Sequence, residues 1–167
     1  MRSAWLGLGG NIGDVEAALA KALSGIDADP ECRVTAVSAL WRTPPWGITD
    51  QPDFLNCCAA VETALDPEGL LRLCQRMERE GARTRGVRYG PRTIDVDIVA
   101  FEGVKAADPE LILPHPRAAE RAFVTVPMAQ IAPDLMLGET TVADLAARAD
   151  REGMERLERR EGWWRTG

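Results

Sequence analysis

Residues 94–101, Ile94-Asp95-Val96-Asp97-Ile98-Val99-Ala100-Phe101, set apolar residues around two carboxylates, and this alternation limits what the chain can fold into more than any other stretch. A period of two belongs to a strand with one buried face. Side chains two apart share a face, so Asp95 and Asp97 are expected to point the same way, with Cα atoms roughly 6.5–7 Å apart. Ile94, Val96 and Ile98 take the opposite face, and Val99 and Phe101 continue the Asp face as apolar residues. The carboxylates then sit at the N-terminal end of the strand, where a buried surface opens to solvent. Upstream, Gly90-Pro91 marks a loop.

Asp-x-Asp by itself describes an ordinary half-solvated strand as well as it describes a metal site. The neighbourhood separates the two readings. From residue 72 to 92 the chain carries Arg72, Arg76, Arg79, Arg83, Arg85, Arg88 and Arg92 against Glu78 and Glu80, in a protein whose net charge is −6. Hard carboxylates can ligate Mg²⁺, and guanidinium forks can grip phosphate oxygens bidentately. The stretch reads as the phosphoryl-transfer end of a site. Arginine-rich surface loops are commonly just solvated charge, but this one adjoins the carboxylates in sequence.

At 167 residues, 46% apolar and 28% charged, the chain fits one soluble globular domain spanning residues 1–167. No apolar run is long enough to span a bilayer, and the N-terminus leads straight into a strand without a signal-peptide pattern, so the cytoplasm is the expected compartment. Cys32, Cys57, Cys58 and Cys74 form no Cys-x-x-Cys pair and read as small core residues, with Cys57 and Cys58 on opposite faces of a strand. With one histidine in the chain, zinc and Cys-His chemistry are disfavoured. The acidic balance argues against general nucleic-acid binding.

Ala4–Gly9 reads as a strand entering Gly9-Gly10-Asn11-Ile12-Gly13. A dinucleotide fingerprint would need glycine at position 12, and the Walker pattern is absent. Asp14 is placed as the N-cap of a helix with Val15, Ala18, Leu19, Ala22, Leu23 and Ile26 on one face, ending near Gly25. Cys32–Trp41 reads as a second strand, with Val34, Ala36, Ser38 and Leu40 on one side. A proline-rich loop, residues 42–53, follows and is of the kind that carries function. Phe54–Thr63 is a third strand on which Phe54 and Asn56 share a face. An aromatic plate beside a carboxamide suits a flat heterocycle, and a core Phe beside a hydrogen-bonding Asn accounts for these two residues equally well.

Asp66-Pro67 starts a second helix, which runs to Gly81 and puts Gln75 and Glu78 on one flank. After the Asp strand come a turn at 102–105, a short extended piece at 110–113, and Pro114-His115-Pro116-Arg117. A lone histidine is more often incidental than functional, yet His115 lies close to Arg117 and Arg121, which suits contact with phosphate. Residues 123–131 form an apolar helix, and a final helix follows Gly138 before a charged tail. The order strand, helix, strand, strand, helix, strand predicts an α+β fold of the ferredoxin-like βαββαβ type: an antiparallel sheet with helices packed on it, plus a C-terminal helix and tail.

Leu6-Gly7-Leu8-Gly9-Gly10-Asn11, Trp41-Arg42-Thr43-Pro44-Pro45-Trp46-Gly47, residues 50–56, Tyr89–Ile98, Pro114-His115-Pro116, Arg121 and Phe123 together resemble the 6-hydroxymethyl-7,8-dihydropterin pyrophosphokinase family of folate biosynthesis. The resemblance covers about residues 4–135. It implies transfer of the β,γ-pyrophosphoryl group of ATP to the pterin's hydroxymethyl oxygen, with AMP released. Asp95 and Asp97 would be ligands of two Mg²⁺ ions. Thr43, Pro44, Trp46, Phe54, Asn56 and Phe123 would form the pterin pocket, Phe54 and Phe123 as its aromatic plates. Gln75, Glu78, Arg85, Arg88, Ile98, His115 and Arg121 would bind ATP, and Arg83 and Arg92 would act as catalytic arginines closing over the phosphates. Gly10 stands where Ser is common in the family, Tyr89 where Trp is usual and Phe54 where Tyr is frequent. The partners implied are ATP and the pterin, without nucleic acid or membrane, and the protein is expected to be a monomer. Two other readings fit parts of the sequence: a catalytically silent ferredoxin-like module that holds nucleotide or pterin, and an RNA-binding α+β domain that lacks the aromatic sheet pattern of such domains.

Overall fold

The computed structural model describes residues 1–45, 50–83 and 94–165, with the backbone alone at 82 and 83. The elements in chain order are β1 (Arg2–Gly10), α1 (Val15–Ala28), β2 (Cys32–Val37), β3 (Trp41–Thr43), β4 (Phe54–Thr63), α2 (Pro67–Arg83) and β5 (Asp95–Phe101). Then follow β6 (Ala106–Asp108), β7 (Leu111–Leu113), α3 (Ala122–Ile131), β8 (Met136–Leu137), β9 (Thr140–Thr141), α4 (Val142–Arg148) and β10 (Glu155–Arg156). In the main sheet β4 and β1 are central: β1 pairs with β4 and β5, and the far side of β4 takes β2 along one half and β3 along the other. All these pairings are antiparallel, and β10 adds to the outer edge of β3. This is the ferredoxin-like arrangement expected from the order of elements, with the second strand in two pieces.

Capping groups start the helices where the sequence places them. Asp14 Oδ1 accepts from the Ala17 N–H (3.1 Å) and Asp66 Oδ1 from the Gly69 N–H (2.7 Å), each satisfying a donor that has no partner inside its helix. Both helices lie on one face of the sheet. Leu19, Leu23, Ile26 and Leu70 are fully buried there with Leu6, Val61 and Ile94. Each such side chain contributes about 1.5–3 kcal/mol by leaving water. Gly25 lies inside α1 rather than at its end. A Cβ on it would stand 2.5 Å from Met77 Sδ, so the glycine allows α1 and α2 to approach closely. The opposite face carries a smaller core, in which α3 and α4 bury Val124, Met128 and Val142 against Cys58, Val99 and Ala100.

Two irregularities change the expected facing of residues. The β1–β5 register slips between Trp5 and Leu6: Trp5 pairs with Ala100 and Leu6 with Ile98, which leaves Val99 as an extra residue. Beyond this bulge the facing inverts. Val99 therefore stays on the Asp side as expected, whereas Phe101 turns into the helix-side core. The second strand is interrupted likewise. Its register against β4 slips between Val34 and Ala36 and again between Val37 and Trp41, so Val34, Val37 and Leu40 face the helices instead of an i, i+2 series. Ser38 fills the gap between the two pieces by accepting from the Cys58 N–H through its hydroxyl (2.9 Å).

Candidate active site

The two glycines of Leu6-Gly7-Leu8-Gly9 alternate with buried leucines on β1 and so face away from α1 and α2. The sheet register puts Gly9 between Asn56 on β4 and Asp95 on β5, and Gly7 between Cys58 and Asp97. Each row thus crosses three strands with no side chain in the middle. At the usual strand spacing, Asn56 and Asp95 stand roughly 10 Å apart across a bare floor. Gly9 is required by contact: a Cβ there would fall 2.0 Å from Asn56 Oδ1. The period-two glycines were visible in the sequence, and their role as a floor was missed because it depends on which strands flank β1.

Over this floor lies a cavity of about 170 Å³ lined by Thr43, Pro44, Phe54 and Asn56 at one end and Asp95, Asp97, His115 and Arg121 at the other, with Phe123 and Val124 on its α3 wall. Asn56 and Thr43 are buried, and the Asn56 amide donates to the Thr43 hydroxyl (2.7 Å). This leaves the Thr43 O–H, the second Asn56 N–H and the Asn56 carbonyl as a compact donor–acceptor edge for a ligand. Phe54 and Phe123 both reach the cavity from different elements, as two aromatic walls require. Asn11 donates to Gln51 Oε1 (2.9 Å) and to the Pro52 carbonyl (3.1 Å), which ties the returning end of the proline loop to the β1–α1 turn.

The other end is polar and open. Asp95 and Asp97 are exposed on one face of β5, as the alternation predicts. His115 is fastened to the same strand by its N–H, which donates to the Val99 carbonyl (2.8 Å). Its Nδ1 accepts from the Arg117 N–H (3.2 Å), so the neutral ring carries its proton on Nε2. Desolvation lowers the His115 pKa, Asp97 opposes that shift, and Arg121 and Arg117 reinforce it. The Arg121 guanidinium lies 5.6 Å from the centre of the Phe123 ring, linking the aromatic wall to the charged end. Among the described residues no group of three or more His, Cys, Asp or Glu side chains is gathered as a metal cage. Two hard carboxylates on one open face suit Mg²⁺, which commonly takes one or two carboxylates and fills its remaining positions with water and substrate phosphates.

Three residues expected at the nucleotide lie behind the cavity. Glu78 is 5% exposed, and its Oε2 accepts from the Val96 N–H (2.8 Å), so it anchors the backbone between the two aspartates to α2. The Ile98 side chain is buried in the helix-side core. Main-chain groups alternate along a strand, so Ile98 presents its N–H and C=O on the outer edge of β5 that Val96 also uses, and only there could it meet a nucleotide. Gln75 accepts from Arg72 (3.1 Å) on the flank of α2. Trp46, Arg85, Arg88, Arg92 and the side chain of Arg83 lie outside the described residues. The four cysteines are buried thiols. Burial pushes Cys57, at the cavity wall, up to about 12, which removes it as a nucleophile at neutral pH.

Residues 5–133 match the 7,8-dihydro-6-hydroxymethylpterin-pyrophosphokinase family. The chain belongs to this pyrophosphokinase family. It is 51% identical over 158 residues to the 2-amino-4-hydroxy-6-hydroxymethyldihydropteridine pyrophosphokinase of Methylorubrum extorquens, covering 95% of this chain and 100% of that protein. Its identity to the Bacillus subtilis pyrophosphokinase of the same name is 40% over 159 residues, covering 95% and 92%. Among solved structures, Plasmodium falciparum HPPK-DHPS superposes with a TM-score of 0.69 at 14% identity, over 93% of this chain and 47% of that one. The pyrophosphokinase fold is thus matched, and this chain spans just under half the length of the Plasmodium protein.

Proposed function

We propose that this cleft carries out the family's reaction: transfer of the β,γ-pyrophosphoryl group of ATP to the hydroxymethyl oxygen of 6-hydroxymethyl-7,8-dihydropterin in folate biosynthesis, with release of AMP. The observation that carries this reading is the row Asn56–Gly9–Asp95. It sets a buried hydrogen-bonding edge and an exposed carboxylate pair on one sheet face, about one ring system apart, with nothing standing between. A flat ring between Phe54 and Phe123, its polar edge on Asn56 and Thr43, directs its hydroxymethyl arm toward Asp95 and Asp97.

Bound to both carboxylates, Mg²⁺ would neutralise phosphate charge as it develops in the transition state. Asp95 and Asp97 are the residues that would hold it, as two ions. His115, neutral and protonated at Nε2, donates a hydrogen bond to a phosphate oxygen, and Arg121 supplies a guanidinium beside it. Glu78 fixes the strand that bears the aspartates. The hydroxymethyl oxygen bonds to the β-phosphorus while the bond from that phosphorus to the α–β bridging oxygen breaks. The electron pair leaves on AMP, and the hydroxyl proton passes to solvent. Arg83, Arg85, Arg88 and Arg92 complete the ATP contacts and Trp46 the pterin pocket in this proposal.

We take residues 1–167 as one functional unit acting as a monomer in the cytoplasm on two small-molecule substrates. No helix among the described residues is long and apolar enough to cross a membrane. Incubation with ATP, Mg²⁺ and hydroxymethyldihydropterin is expected to release AMP one-for-one with the pterin diphosphate, and chelation of the metal should abolish this. ADP as the nucleotide product, or turnover insensitive to chelation, would refute the proposed chemistry.

A further inference from the structure

The family match ends at residue 133, yet the chain beyond it returns to the cleft. After α4, Gly153 turns the backbone at φ +78°, and a Cβ on it would stand 3.2 Å from Pro44 Cγ. The next residues run along β3: Glu155 opposes Arg42, Arg156 opposes Trp41, and the Leu157 N–H donates to the Leu40 carbonyl (2.9 Å). Arg42 Nη1 and Glu155 Oε1 are 2.6 Å apart. The far end of the segment is anchored. Trp164 is 5% exposed in the helix-side core, its carbonyl accepts from Ser24 Oγ (2.9 Å), and Arg159 grips Glu16 through two hydrogen bonds.

Strand β3 is three residues long, pairs with β4 on one side and with the two-residue β10 on the other, and ends at Thr43. A strand this short at a sheet edge frays easily unless something holds its other side. From this geometry we infer that residues 153–157 are a positioning brace for the pterin end of the cleft, pressing on Pro44 from behind and fixing β3 so that Thr43 meets Asn56. The inference rests on the placement of Thr43 and Pro44 in the pterin pocket. In the main sheet β10 and β5 lie at opposite ends of the order β10-β3-β4-β1-β5, so the brace acts on one substrate alone.

Gly153→Ala puts a methyl group against Pro44 and strains the turn. Gly138→Ala applies the same kind of strain at φ +71° with nothing within 4 Å of the new carbon, and so controls for lost stability. Pro44 has to give by a few tenths of an ångström, and Gly153→Ala is expected to raise KM for the pterin by about tenfold with KM for ATP unchanged. Gly138→Ala should leave both constants alone. Glu155→Arg, which faces Arg42 with a like charge on an exposed edge and keeps the turn, should move the pterin KM the same way by about twofold. Thr43→Val reports on the pocket itself. A shift in Thr43→Val with none in Gly153→Ala or Glu155→Arg overturns the brace alone; no shift in any of the three overturns it together with the pterin's placement. Equal rises in both KM values for Gly153→Ala would also overturn it.

Discussion

The two ends of the cleft are built on opposite principles. At the end proposed for the pterin the polar groups are buried and already paired: Asn56 and Thr43 are bonded to each other, and both belong to strands held by register. At the end proposed for the phosphates Asp95 and Asp97 are exposed, and His115 and Arg121 come from a connecting segment beyond the sheet, tied to it by the His115 N–H on the Val99 carbonyl. Buried, paired groups give geometric selection at the cost of any flexibility. Exposed carboxylates stay open to a metal and polyphosphate that bring their own ligands. The contrast predicts that damage at one end spoils recognition of the ring and damage at the other spoils turnover.

Asp97→Ala should show the largest effect, a fall in kcat of about 10³-fold, close to 4 kcal/mol of lost transition-state stabilisation, measured as AMP release at saturating substrates. Its pterin affinity should stay within about twofold of the parent, because nothing in the Asn56–Thr43 pair depends on it. Asn56→Ala should do the reverse. It leaves the Thr43 hydroxyl buried without its partner, at about 1–3 kcal/mol, and should raise KM for the pterin by about ten- to a hundredfold with KM for ATP unchanged. If Asn56→Ala instead lowered kcat and spared pterin KM, the division between the ends would fail.

Phe123→Leu tests the aromatic wall that spans both ends. It removes the ring face while keeping bulk, and a loss of about 0.5–1.5 kcal/mol in pterin binding, roughly two- to tenfold, is expected by fluorescence titration. The smallest effect concerns His115. It is the chain's one histidine, so its proton NMR titration needs no assignment. The midpoint should lie below 6.5, and Asp97→Asn should lower it further by removing a charge that opposes the shift. Because the folded value is depressed, His115 contributes its stability fully above pH 6.5, and that contribution is lost as pH falls through the folded value. A midpoint above 6.5 in the free protein would contradict a neutral, Nε2-protonated donor.

Local chemistry made much of this legible from residue order. Asp14 and Asp66 announce their helices because a carboxylate before a helical repeat has one obvious use, and Asp95 and Asp97 share a face because a strand leaves no alternative. What escaped depends on partners far along the chain. The bulge that inverts Phe101 arises from pairing with β1, and the break at Ser38 from a hydroxyl that serves Cys58, twenty residues away. Glu78 carried a sequence-based assignment to ATP, and its Oε2 also accepts from the Val96 N–H, a role that no helical pattern reveals. The C-terminal strand β10 had no signature either, since two residues on a charged tail acquire meaning only beside β3.

The most direct test of the central claim is calorimetric titration of a non-hydrolysable ATP analogue into the parent and into Asp97→Asn, each with and without Mg²⁺. The parent should bind the analogue at least about tenfold more tightly with Mg²⁺ than without, and Asp97→Asn should lose most of that difference while its metal-free affinity stays equal to the parent's. An Asp97→Asn protein with the parent's full Mg²⁺ dependence would show that the paired carboxylates of β5 do not hold the metal, and the account of the phosphate end would be wrong.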